Sequence, residues 1–535
     1  MKSIHQYRLL AVVLLLSCLL TMAMPMAAYA EETSADAGTD ADYEAKKVAY
    51  REKLMADDVT SDDLLIGSWV SFYSFDVDSY EFQLDQMAAA GINFNIFPKN
   101  FGSGGMYDQA YWDDVEAQYA KRNMVYLMNG SMNAAHLTQG VEYAAGKEHC
   151  IGYHVVDEPG GDALQGVANM VIAYREADAT RYPFVNLLPS YAGEGWLGGT
   201  YYEHVSRFVE LAGAENIDYL SHDYYPFRAD GVVMDGIFAD MEVLRKVAYE
   251  NGKLKTHAFP QSTAWNGTRM PTTDEMRWNV YAYLAYGFKA LSWFNLVCPG
   301  SSDTEGEGFR DSLIYRDGTI RDPEYFAFWS ELNWEIRGLS DILMNLDAVH
   351  VYHMRRGNGI EGLPDDYFLQ PKNKRAEFMI SVMEPKEGDD QYIMIFNKST
   401  TTEQDCDFTV AADSEVKWLE YFDPHTGEYI PVEFENGKLN ELFLPGEGRL
   451  YRLRYDTPPS ETEAPTEAPT EAPTEAPTEA PTETAAEAPT SASTEAPAED
   501  PTEAPESGCG ASFGLGAVAL LTAAAAAVAL SKRRA

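Results

Sequence analysis

Two adjacent acids close the apolar run CIGYHVVDEPG, Cys150–Gly160, with a proline directly after them. Such a run reads as a buried strand whose last residues, Asp157 and Glu158, emerge at a rim. A carboxyl partly shielded by Pro159 and set beside a second acid holds its proton toward neutral pH, as general acid–base chemistry requires. A third acid, Asp223, closes the run IDYLSHDYYP. The ordinary structural use of Asp157 and Glu158 is to cap the following helix, but capping accounts for one acid of DEPGGDAL and not for both. Asp223 has an equally ordinary use, bonding a neighbouring loop.

The elements that would position these acids alternate regularly. Eight short β-branched and aromatic runs are expected as strands: 64–73, 92–98, 124–130, 150–159, 184–190, 217–226, 255–262 and 290–296. Between them lie amphipathic segments such as YEFQLDQMAAAG, ANMVIAYREAD and MRWNVYAYLAYG, bounded by capping residues or glycine. Strict strand–helix alternation over this length predicts an α/β fold of parallel strands, a (β/α)8 TIM barrel spanning 59–346. An open doubly wound sheet is the alternative, but it calls for a glycine-rich phosphate turn after the first strand, and none is present. After YFAFWSELNWEIRGLSDILM the pattern changes to short alternating strands, EFMISVMEP, DQYIMIFNKS, DFTVAA, VKWLEYFDP and GRLYRLRY, which predict a small antiparallel β-sandwich over 347–455.

In such a barrel the chemistry sits where the strands end. The rim would then carry Trp69 and Tyr73, Lys99 and Asn100, Asn129, Asp157 and Glu158, Ser190, His222 to Tyr225, Gln261, and Trp293 with Asn295. Acids, amides and aromatic rings together suit a sugar, whose hydroxyls need hydrogen-bond partners and whose CH faces stack on rings. Trp69, Trp265 and Trp293 are candidate stacking walls, with ordinary barrel-end packing the competing use of Trp69 and Trp293. Trp265 lies in the polar loop STAWNGT. His154 and His257 fall inside strands and read as core residues. No cluster has metal-ligand spacing, and no cofactor motif is present. Cys150, Cys298, Cys406 and Cys509 are expected as free thiols.

GYHVVDEPG, HDYYPF and SLIYRDGTIRDPEYFAFWSELNWEI resemble bacterial (β/α)8-barrel glycoside hydrolases that carry a C-terminal sandwich, over roughly Leu64 to Tyr455. The resemblance implies that Glu158, at the end of strand four, is the general acid/base. It also exposes a departure: the nucleophile of that clan is a glutamate ending strand seven, and KTHAFPQSTAW has Gln261 there. An amide cannot form the glycosyl ester of a retaining mechanism. Three substitutes are open. The Asp157–Glu158 doublet resembles that of hexosaminidases in which the Asp orients the substrate's own 2-acetamido group, with Tyr224 or Tyr225 bonding its carbonyl. Asp223 could serve as nucleophile or base. Glu305 or Glu307 could reach in from the loop after strand eight. The expectation is a cell-surface glycoside hydrolase with Trp69, Asn129, His222, Tyr224, Tyr225, Gln261, Trp265 and Trp293 binding the carbohydrate. The competing reading is a surface glycan-binding protein on a degenerate barrel.

The flanks point outside the cell. Residues 1–30 have a basic start, an apolar core and a small-residue exit, the pattern of a secretory signal. Residues 31–58 are polar and helix-prone. Residues 456–508 repeat TEAP and hold 14 acids with no Lys or Arg, which predicts a stiff solvated stalk on the order of 100 Å long. Within 509–535, Ala511 to Leu530 is apolar and SKRR follows, the pattern of a single membrane-spanning anchor with a cytoplasmic basic tail. The net charge of −44 makes a nucleic-acid partner improbable, because phosphate contacts need a basic face.

Overall fold

The computed structural model describes residues 37–70, 77–98, 108–265, 267–297, 309–315, 319–355, 357 and 359–458. The signal-like segment, the apolar C-terminal segment and nearly all of the TEAP repeat lie outside the described residues. Among the described residues no helix is long and apolar enough to cross a membrane.

Eight parallel strands close into a barrel in sequence order: β1 (Leu65–Val70), β2 (Phe94–Phe97), β3 (Val125–Asn129), β4 (Cys150–Asp157), β5 (Tyr182–Leu187), β6 (Tyr219–Asp223), β7 (Lys255–Phe259) and β8 (Ala290–Trp293), with β8 pairing back onto β1. Side chains alternate across this wall. Leu65, Phe94, Ile96, Val125, Leu127, Tyr182, Phe184, Tyr219, Phe259 and Ala290 fill the interior. Ile66, Val185, Leu187, Leu220, Ala258 and Leu291 face the surrounding helices. Strands buried on both faces need apolar residues at both parities, which is why these segments read as continuous apolar runs.

The helices that cover the wall carry their own start signals. The helix α6 (Tyr201–Ala212) opens with a capping box between Thr200 and Glu203, and its apolar stripe Val205, Phe208, Val209 and Ala212 follows helical spacing. In α8 (Thr273–Ala285) Thr272 and Glu275 form the same box, and α9 (Pro323–Gly338) begins with Asp322 as cap and proline in the first turn. The segment expected to be polar and helix-prone forms α1 (Ala37–Ala56). It braces the last barrel helix through Tyr50 to the Gly338 carbonyl at 2.9 Å and Arg51 to Glu331 at 3.1 Å.

A seven-stranded sheet follows the barrel. It contains β9 (Leu346–His353), β10 (Phe378–Pro385), β11 (Tyr392–Asn397), β12 (Trp418–Asp423), β13 (Glu428–Glu433) and β14 (Gly448–Arg454), antiparallel except for the short parallel strand Glu361–Gly362. A three-stranded sheet, Leu369–Pro371 with Phe408–Val410 and Lys438–Leu439, packs across one face. In β10 and β11 the parities separate cleanly: Phe378, Ile380, Ile393 and Ile395 face the small sheet, whereas Met379, Met394 and Phe396 join the barrel's core. The large sheet is therefore the middle layer, clamped between barrel and small sheet. Contact with the barrel is close enough that a Cβ at Gly448 would sit 2.3 Å from the ring of Tyr281 on α8. Cys150 and Cys406 are buried free thiols, and Cys298 lies outside the described residues.

Candidate active site

Two backbone irregularities at the end of β4 turn both of its acids toward the barrel mouth. In the pairing of β4 with β5, His154 lies opposite Phe184 and Val156 opposite Val185, so one extra residue is inserted between them. Such a bulge reverses the alternation. His154 points inward among Trp69, Phe97 and Phe184, and without the bulge Asp157 would point outward. With it, Asp157 sits inside, opposite Asn186. Glu158 then takes a left-handed backbone, φ 45°, held by its N–H donating to the Asn186 carbonyl at 2.9 Å. A proline after it disfavours helical backbone there, so this conformation costs on the order of 1–3 kcal/mol. The following loop lies directly on the loop after β5, because the Gly161 N–H donates to the Trp196 carbonyl at 2.8 Å. A Cβ at position 161 would approach the Leu197 carbonyl oxygen to 2.1 Å.

Beneath the acids runs one rung of the barrel: Asp157, Asn186, Ser221 and His257 are successive register partners on β4, β5, β6 and β7. The Asn186 amide donates to Asp157 Oδ1 at 3.1 Å and to Asp223 Oδ1 at 3.2 Å. Ser221 Oγ donates to Asn186 Oδ1 at 2.9 Å and lies 2.8 Å from His257 Nδ1, whose Nε2 lies 2.9 Å from Ser292 Oγ. Asp223 also lies against Tyr225 and Glu158.

Three carboxyls thus converge in a mouth where, among the described residues, none of them forms an ion pair. Burial pushes Asp223 up to about 7, with the charge of Asp157 adding to the shift. Burial raises Asp157 to about 6 against the opposing hydrogen bond from Asn186. Glu158 rises well above the carboxylate range, through burial first and then the negative charges of Asp223 and Asp157. Three buried acids, all raised at one rim, make this mouth the candidate site.

The other expected rim residues divide by the parity of their strands. Trp69 is inside and half-buried, its ring edge-on to Phe97 at 4.8 Å and Phe259 at 5.3 Å. Asn129 ends β3 opposite His154; its buried Oδ1 and His154 Nε2 have no hydrogen-bond partner among the described residues. Tyr225 is inside, beside Asp223.

Four expectations are corrected. His222 must face outward because Asp223 faces inward; it is fully buried against Tyr201, 3.1 Å from its hydroxyl. Trp293 faces outward for the same reason, donating to Asn333 Oδ1 at 2.9 Å and packing on Trp329. Tyr224 lies on the outer side and supports the ring of Tyr191 at 5.0 Å. Gln261 is fully buried: its amide donates to the carbonyls of Thr263 and Arg269 and accepts from the Phe227 N–H, so it staples a loop and presents nothing to the mouth.

Trp265, expected in an exposed polar loop, is 5% exposed and backs Tyr225, with ring centroids 4.7 Å apart. The backbone N–H of Ser190 is tied to Asp240 on α7 (Ile237–Glu250) at 2.9 Å. Tyr73, Lys99, Asn100, Glu305 and Glu307 lie outside the described residues.

Sequence reasoning did not single out Asn186, Ser221, Ser292 or Tyr191, and read His257 only as a core residue, which it is. Asn186 and Ser292 are lone polar residues in apolar strands, and Ser221 and His257 stand in the polar stretches of theirs; only pairing reveals that Asn186, Ser221 and His257 share one rung and that Ser292 reaches it. Tyr191 follows Ser190 at the rim, close enough to Asp223 and Glu158 for their charges to act on its phenol.

No family model matches the chain, and no curated protein matches it. Among solved structures, a glycoside hydrolase of family 5 from Bacteroides vulgatus ATCC 8482 is 13% identical, covering 73% of this chain and 88% of that one at a TM-score of 0.45. A β-galactosidase from Bacillus circulans sp. alkalophilus is 9% identical over 73% and 99% of the two chains, TM-score 0.48. An α-amylase from Geobacillus thermoleovorans is 11% identical over 75% and 100%, TM-score 0.42.

Proposed function

We propose that the protein is a glycoside hydrolase in which Glu158 is the general acid/base. The observation that carries this reading is the group of three carboxyls at the C-terminal mouth of the barrel, all raised by burial, with Glu158 pushed up further by the negative charges of Asp223 and Asp157. Protonated Glu158 would give its proton to the glycosidic oxygen as the C1–O bond breaks, and the resulting carboxylate would then take a proton from the water that completes hydrolysis. Glu158 and Asp223 lie against one another in the mouth, so each acts on the other's proton. The nucleophile is then Asp223, or the substrate's own 2-acetamido group oriented by Asp157. Carbohydrate would meet Trp69, Asn129 and Tyr225, with Tyr191 at the edge. The proposal includes export and anchoring at the cell surface, supported by the signal-like start, the acidic stalk and the apolar segment with its basic tail.

One observation favours a second reading, a surface glycan-binding protein. Gln261 occupies the place of the strand-seven glutamate and is wholly engaged in holding a loop. Product release from paired aryl glycosides, differing only in a 2-acetamido or a 2-hydroxyl group, separates the possibilities. Turnover lost by orders of magnitude in Glu158→Gln, with ligand still held, supports the hydrolase. Confinement to the acetamido series gives Asp157 the orienting role, and turnover of the hydroxyl series gives Asp223 the nucleophile's role. Binding without turnover, unaffected by Glu158→Gln, supports the glycan-binding reading.

A further inference from the structure

The rung beneath the acids has only one consistent set of hydrogen positions. Asn186 must turn its NH2 toward Asp157 and Asp223, because its oxygen facing two carboxylates would be repelled. Its Oδ1 therefore accepts from Ser221 Oγ, which uses that hydroxyl's single hydrogen. Ser221 can then only accept from His257, so the imidazole carries its hydrogen on Nδ1. His257 is fully buried with no acid against it and stays neutral, so its Nε2 accepts from Ser292. Each donor is dictated by the one before it, across four strands.

We propose that the Ser292–His257–Ser221–Asn186 chain is a proton-ordering device, which keeps Asp157 and Asp223 as acceptors and leaves the cluster's proton on Glu158. Asp223 receives the Asn186 amide, and the neighbouring Tyr225 hydroxyl and backbone also favour its anion. Glu158 receives no such donor among the described residues and lies against the negative charges of Asp223 and Asp157. Where buried carboxyls crowd together a proton is retained among them, and it belongs to the one with fewest donors. Among the described residues, the titratable side chains facing Glu158 and Asp223 are Asp157 on β4, Tyr191 after β5, Tyr201 on α6, Tyr225 after β6 and Tyr283 on α8, with His257 one rung below; none of these is cationic at neutral pH. Asn186, Ser221, His257 and Ser292 are thus positioning residues. Their catalytic meaning rests on the proposed hydrolase function, but the placement of the proton does not.

The test is a 13C titration of the full chain labelled at Glu Cδ or Asp Cγ, with Glu158→Gln and Asp223→Asn assigning the signals. Glu158 is expected to titrate above both Asp157 and Asp223, and the 15N shifts of His257 to show hydrogen on Nδ1. In Asn186→Leu, Glu158 should titrate at least about one pH unit lower while Asp223 moves up. Ser221→Ala, which keeps the volume of the rung, should shift both in the same direction by less.

A wild-type chain whose Glu158 titrates below Asp223 overturns the proposal, whatever the variants do. So does a folded Asn186→Leu with Glu158 unmoved. Because the titration needs no substrate, a chain that orders its proton as stated yet hydrolyses no glycoside would overturn the functional reading alone.

Discussion

Replacing Asp223 by asparagine should stabilise the protein at alkaline pH and hardly at all in acid. The isosteric amide still accepts from Asn186 and can donate to Glu158, so packing is conserved while one buried charge disappears. Asp223 is 7% exposed and held near 7, against an ordinary 3.8. A carboxyl raised in the folded state binds its proton more tightly there than in the unfolded chain, so its penalty is absent below the unfolded value, grows as pH rises, and is complete above the folded value. At about 1.4 kcal/mol per pH unit the full penalty at pH 8 is on the order of 4 kcal/mol, and at pH 4 on the order of 0.5 kcal/mol. Relaxation around the carboxylate halves the larger figure to about 2 kcal/mol at the low end. With an unfolding entropy of ~2.1 cal/mol/K per residue over several hundred residues, each kcal/mol moves Tm by roughly 1 °C. Scanning calorimetry of Asp223→Asn against the parent should therefore show a gain of about 2–4 °C at pH 8 that shrinks to under about 1 °C at pH 4. An equal gain at both pH values, or a loss at pH 8, would refute the argument that Asp223 is a desolvated and repelled acid.

Other consequences are equally open to measurement. Gln261→Glu should not create turnover, because the side chain donates to two buried carbonyls rather than facing the mouth; losing those donors should cost about 2–5 kcal/mol in urea unfolding, and any gain of activity would contradict the placement. Trp293→Phe should lower stability by about 1–2 kcal/mol through the lost bond to Asn333 and leave carbohydrate affinity unchanged, so a large affinity loss by calorimetric titration would return Trp293 to the mouth. If Glu158 is the acid, kcat/KM should fall as pH rises through its raised value, and Asp157→Asn, by removing a neighbouring negative charge, should move that alkaline limb to lower pH; an unmoved limb in the pH–rate profile would remove Asp157 from the electrostatic account.

The elements were legible in the linear pattern because they answer to local physics. All eight barrel strands were apolar runs of strand length separated by helical spacing with caps, and strict alternation admits few topologies other than a closed parallel barrel. Asp157, Glu158 and Asp223 could be singled out because two acids ending one buried run and a third ending another are costly unless used. Which way each side chain points was decided only by tertiary structure. A one-residue bulge and a left-handed Glu158 bring two adjacent acids to the same side, whereas regular pleating would have set them on opposite faces. Parity sent His222 and Trp293 out to the helices although both close their strands, and two loop carbonyls claimed Gln261. The rung from Asp157 to His257 joins residues 100 positions apart whose only common property is register between strands. Register is a relation between segments, set when the barrel closes, and no single segment encodes it.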